Sequence, residues 1–161
     1  GAFLYCGEKF GFPTMDLMAT VHTAQLDRNL RPLPFLSQYA SPYCLGINIF
    51  SYDFSRPPFV PGLYFCFPPP SMAAPVLRHL QGAISPIVFV MPDNPYMRNL
   101  LAMLSLTYVQ TCTICHSVDL PSLLHPTADG WDTFPDPMNL VALLLPGVGE
   151  NGGLPFSRPR R

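Results

Sequence analysis

The sequence predicts one α/β domain built on a doubly wound, mostly parallel sheet. Three observations carry this. Apolar runs of strand length alternate with helical stripes along the chain. Ile87–Met91 is continuously apolar, as a parallel strand covered on both faces must be. Twenty-one prolines exclude a helical bundle, because an interior proline removes a helical hydrogen bond and clashes with the preceding turn.

The elements follow in order. Residues 1–12 read as the end of a preceding helix or a linker, interrupted by Gly7 and Gly11. Residues 13–146 are the α/β domain, and 147–161 a flexible exit tail. Met15–Ala19 is a short strand whose single charge is Asp16. Residues 20–44 are irregular, with a helical turn over Thr23–Leu30 before Pro32 and Pro34. Leu45–Phe50 is a second strand and Leu63–Phe67 a third, separated by the proline-rich loop Ser55–Gly62. Ser71 caps a helix to Leu80, with Met72, Val76, Leu77 and Leu80 on one face. A helix from about Asn94 to Ser105 buries Met97, Leu100, Leu101 and Leu104. Thr107–Ile114 alternates as a strand, and Leu140–Leu145 is the last buried one, after a loop holding Trp131.

Composition narrows the function classes. Only 12% of the 161 residues are charged, against roughly 25% in ordinary domains, so the chain is expected to sit against neighbouring protein. A net charge of −1 gives no general nucleic-acid footprint. No run reaches the length of a membrane span, and no basic region precedes a long apolar core. The start at Gly1 suggests excision from something longer. Five cysteines are an odd number, and Cys66 and Cys112 sit in strand-like runs. That favours reduced thiols and an intracellular setting, cytoplasm or nucleus.

Few residues offer chemistry. Cys112-Thr113-Ile114-Cys115-His116 matches the c-type haem attachment spacing, but it ends a predicted strand in a chain with no export signal. Zinc would need a second ligand pair at suitable spacing, so no metal site is expected. No Gly-x-Ser-x-Gly elbow follows a strand, which excludes that hydrolase geometry. Phe67-Pro68-Pro69-Pro70 reads locally as a rigid turn ending a strand.

An ordered set of segments reaches further. It runs Asp16-Leu17-Met18-Ala19-Thr20, Gln25-Leu26, Ser37, Gly46-Ile47-Asn48-Ile49-Phe50 and Asp53-Phe54. It continues with Tyr64-Phe65-Cys66-Phe67-Pro68-Pro69, Val76-Leu77, Ile87–Pro92 and Leu100-Leu101. Over roughly residues 10–105 this resembles the region downstream of reverse transcriptase and ribonuclease H in DIRS-like, tyrosine-recombinase retroelements. That region is in turn similar to phage-type DNA adenine methyltransferases.

The resemblance implies a Rossmann-like methyltransferase fold. It implies S-adenosylmethionine contacts at Asp16, Ala19, Asn48 and Asp53, and a target-base motif at Phe67, Pro68, Pro69 and Pro70. That motif is degenerate. Methyltransferases of this kind have Asn or Asp before the prolines, accepting from the adenine amino group, and an aromatic after them, stacking on the flipped base. Here Phe67 has no acceptor and Pro70 no π-face. The glycine-rich turn after the first strand is replaced by Ala19-Thr20-Val21.

The expectation is therefore a catalytically degenerate domain of a retroelement polyprotein. It would act as a structural or nucleic-acid-positioning module beside reverse transcriptase and ribonuclease H, in contact with DNA or an RNA–DNA hybrid and no membrane. No cofactor is expected, unless an ancestral pocket survives to hold S-adenosylmethionine. The alternative is an active DNA adenine methyltransferase, with Asp93 or Asn94 supplying the missing acceptor.

Overall fold

The chain forms α1 (Ala2–Phe10), β1 (Met15–Asp16), β2 (Leu36–Ser37), β3 (Gly46–Ile47), β4 (Tyr64–Cys66) and α2 (Ala73–His79). It continues with β5 (Ile87–Pro92), α3 (Pro95–Met103), β6 (Thr111–Cys115), β7 (Leu124–Thr127), β8 (Gly130–Thr133) and β9 (Leu140–Leu145). Single 3₁₀ turns cover Ile49–Ser51 and Pro70–Met72. This computed structural model describes residues 2–56, 58–104, 111–115, 124–127, 130–133 and 139–148.

The main sheet has the order β1-β4-β5-β9-β6. β1, β4 and β5 are parallel, whereas β9 runs antiparallel to both β5 and β6. The small parallel ladder of β2 and β3 extends it on the far side of β1. Asp16 and Phe35 form a parallel bridge, and the Ala19 N–H donates to the Leu36 carbonyl at 2.9 Å. The lateral order across all these strands is thus β3-β2-β1-β4-β5-β9-β6, with β9 alone reversed.

Side-chain alternation makes two cores from this sheet. Ile87, Phe89 and Met91 of β5 join Tyr64 and Cys66 of β4 and Leu143 and Leu145 of β9 on one face. α2 covers that face with Ala73, Val76 and Leu77, and α3 with Met97, Leu100 and Leu101. Val88, Val90, Phe65, Ala142 and Leu144 form the other face, under Phe3 and Cys6 of α1. Phe3 meets Phe65 edge-on with ring centroids 5.1 Å apart. The first helix therefore packs into the same body as the sheet. Truncating the fully buried Phe89 to alanine would cost about 3–5 kcal/mol, a large share of a domain's stability.

Several elements differ from expectation, each for a local reason. Pro70 opens a 3₁₀ turn, so Ser71 lies inside that turn, and Met72 stands before α2 with no side-chain cap. Asn94 caps α3, its side chain accepting from the Met97 N–H at 2.9 Å. The strand expected over Leu45–Phe50 is only Gly46–Ile47, because Asn48 turns the chain at φ 66°. The stretch expected to be irregular, 20–44, contains β2. The loop before β9 contains the antiparallel pair β7 and β8. Residues 107–110 of the strand expected over Thr107–Ile114 lie outside the described residues, and β6 is Thr111–Cys115. Among the described residues, no helix is long and apolar enough to cross a membrane.

The chain leaving β9 is locked by glycine. Gly147 has φ +72°, and a Cβ there would sit 2.7 Å from the Ile84 carbonyl oxygen. The next residue, Val148, donates its N–H to the Ala83 carbonyl at 3.0 Å. Gly82 has a similar φ of +75° but opens onto empty space. Denaturant unfolding is predicted to register a loss of roughly 2–3 kcal/mol for Gly147→Ala. Gly82→Ala should lose only roughly 1 kcal/mol, the backbone cost alone.

Candidate functional site

The parallel strands all end at one edge of the sheet, where a shallow cavity of about 250 Å³ lies among the residues that follow them. Each strand contributes the residues that follow it. Leu17 and Met18 come from β1, and Met72 from the turn after β4. Ser37 closes β2 and is followed by Gln38 and Tyr39. Asn48, Ile49 and Phe50 come from beyond β3. No charged side chain lines it.

Local chemistry fixes this wall. Asn48 adopts the left-handed conformation that asparagine tolerates better than most residues. Its N–H donates to the Ser37 carbonyl at 2.6 Å, which ties β3 to β2. Its side-chain oxygen accepts from the Phe50 N–H at 3.0 Å and starts the 3₁₀ turn. Phe50 is then braced from α2. His79 packs 5.2 Å from it, ring centre to ring centre, while donating from Nε2 to the Tyr52 carbonyl at 2.7 Å. The Gln38 amide nitrogen approaches the Met72 sulfur at 3.6 Å across the mouth.

Of the residues expected to hold a cofactor, Asn48 lines this cavity, and Asp16, Ala19 and Asp53 do not. Asp16 is 2% exposed. Its carboxyl group accepts from the N–H groups of Met18 and Gln25 and so holds the loop after β1. Burial pushes its pKa up to about 8, against the opposing pull of those two donors. Burial, with the neighbouring Asp16, also pushes the Cys66 thiol up, leaving it an inert core group. Ala19 is buried, its N–H committed to β2. Asp53 is exposed and held below the usual carboxylate range by the hydroxyl and N–H of Ser55.

The turn after β4 brings Phe67, Pro68, Pro69 and Pro70 to the same edge. Phe67 packs its ring against the core on the α1 side, Pro68 is buried, and Pro70 opens the 3₁₀ turn that delivers Met72 to the cavity. None presents a hydrogen-bond donor or acceptor from its side chain. Asp93 is engaged by Arg98 at 2.7 Å, and the Asn94 oxygen caps α3.

Ser37, Gln38 and Tyr39 join the site without any motif to mark them. The signal available was Ser37 within the ordered segments. No three His, Cys, Asp or Glu side chains converge as a metal site among the described residues. Cys112 and Cys115 fall in β6, whose side chains are outside the description, as is His116. Comparisons with protein-family models, with curated proteins and with solved structures found no match for this chain.

The buried acid has a thermodynamic consequence. Asp16 keeps its proton in the folded chain up to about pH 8 but would release it near 3.8 when unfolded. Between those values the folded state holds the extra proton, so its stability falls as pH rises. Above about 8 both states are ionised and the dependence ends. Urea midpoints should therefore drop from pH 5 to pH 8, and Asp16→Asn should flatten most of that drop.

Proposed function

We propose that this chain is a catalytically degenerate, methyltransferase-like domain of a retroelement polyprotein. It serves as a structural or nucleic-acid-positioning module beside reverse transcriptase and ribonuclease H. The observation that carries this reading is the fate of Phe67. Base methylation needs an acceptor at the end of β4 to hold the adenine amino group. The side chain at that position is instead a phenyl ring packed against the α1-side core. With Pro70 in place of the stacking aromatic, the turn has neither the polar nor the aromatic half of a base clamp.

The topology supports the ancestral half of the proposal. Doubly wound nucleotide-binding sheets have the order 3-2-1-4-5-6 and hold ligands at the carboxyl ends, beside the point where the order reverses. This sheet follows that order with β9 interposed before β6. Its cavity lies at the ends of β1, β2 and β3, on one side of the reversal between β1 and β4.

That location is also what favours the second reading, an active S-adenosylmethionine-dependent DNA adenine methyltransferase. It fits less well. A donor cofactor with an ammonium and a sulfonium would meet no charged wall, and the one nearby carboxyl group, Asp16, is buried and protonated at neutral pH. Methyl transfer from labelled S-adenosylmethionine to single- and double-stranded DNA separates the two. Incorporation no greater than a protein-free control is expected. Incorporation above it, lost in a Pro68→Ala/Pro69→Ala variant, would overturn the degenerate reading.

A further inference from the structure

The cavity at the ends of β1–β3 has a hydrogen-bonding pattern that the degenerate reading leaves unexplained. Ser37 is 5% exposed and lines the cavity, yet its hydroxyl meets no hydrogen-bond partner among the described residues. The hydroxyl oxygen is not sealed off, since among the described residues no fully buried side-chain oxygen or nitrogen lacks a partner, so it stands open to water or to a hydrogen-bonding group that enters the cavity. Two further polar groups share that wall. The Asn48 oxygen is committed to the Phe50 N–H, which leaves its amide nitrogen to donate. The Gln38 nitrogen is turned to the Met72 sulfur, which leaves its amide oxygen to accept.

A hydroxyl, a donor and an acceptor therefore line one uncharged cavity. Its apolar walls are Leu17, Met18, Ile49 and Met72, and the rings of Tyr39 and Phe50 stand exposed at the mouth. Amide donors and acceptors read the edge of a heteroaromatic ring, and aromatic and thioether groups cover its faces. The volume, about 250 Å³, lies just under the roughly 300–1,000 Å³ of sites for drug-sized ligands. A phosphate or a carboxylate would be desolvated there with no cation to meet it.

From this convergence of Ser37, Gln38 and Asn48 we infer that the cavity binds an uncharged nucleobase or nucleoside, in preference to charged nucleotides or S-adenosylmethionine. The inference deepens the degenerate-domain reading and rests on it: the edge that no longer transfers a methyl group still accepts a base. Such a base has two sources, a free nucleoside or an unstacked residue of a single strand.

Calorimetric titration of the purified chain with adenosine tests this, with adenosine monophosphate and S-adenosylmethionine as comparators. Adenosine should bind with Kd on the order of 0.1–1 mM and at least about fivefold tighter than either comparator. Gln38→Ala, an exposed change that leaves the core alone, should weaken it about three- to tenfold. Asn48→Gly, which keeps the left-handed backbone, should do the same. A short deoxyadenylate strand that displaces adenosine assigns the base to a strand, and failure to displace assigns it to the free nucleoside. Both uphold the shared chemistry. Absence of adenosine binding, tighter binding of S-adenosylmethionine, or affinity unchanged by both substitutions overturns the inference. None of these results touches the degenerate reading, which only methyl transfer overturns.

Discussion

A strand buried on both faces and paired on both edges organises this protein. Every residue of β5 is buried, so its N–H and C=O groups have no access to water and must all find partners in the sheet. β4 supplies them on one side in parallel over the first half of the strand, from Ile87 to Phe89. β9 supplies them on the other in antiparallel register over all six residues, from Ile87 opposite Leu145 to Pro92 opposite Leu140. Pro92 cannot donate, and it stands at the end of the ladder, where a missing N–H costs least. The reversed β9 fills the place beside β5 and pushes β6 one position outward. The two cores follow from the alternation of β5 side chains, and both helical layers follow from the cores.

The carboxyl edge of the parallel strands depends on this frame but is built from weaker parts. β1, β2 and β3 are two residues each, held by a bridge at Asp16 and by scattered backbone bonds. Short strands leave their following loops free to curl over the edge, and the left-handed Asn48 fixes one such curl. Asp16 fixes another, as a neutral acid bonded to two backbone N–H groups. Both polar residues thus act first on the backbone. What remains facing the cavity is uncharged.

Legibility in the sequence followed the strength of local signals. β5 and β9 were readable because six apolar residues in a row leave few alternatives. α3 was readable because Met97, Leu100, Leu101 and Leu104 repeat at helical spacing. β2 was not. Leu36-Ser37 is too short for a period, follows two prolines, and becomes a strand only through bonds to Ala19 and Asn48, distant in the chain. With β2 unseen, Gln38 and Tyr39 had no address at the edge. Asp16 was visible as an isolated acid on a strand, but nothing in the sequence told a ligand-facing carboxylate from a buried one. That distinction depends on Phe35 and the loop to Gln25 closing over it.

The most direct measurement is the set of inter-strand proton contacts in solution, by NMR on the isotopically labelled chain. This account requires β2 beside β1, with Ala19 close to Leu36 and Ser37 close to Asn48, and antiparallel contacts between Phe89 and Leu143. Those contacts together would establish the sheet order and the shared wall of the cavity. Contacts placing β2 against any strand other than β1 and β3, or parallel contacts between β5 and β9, would contradict it.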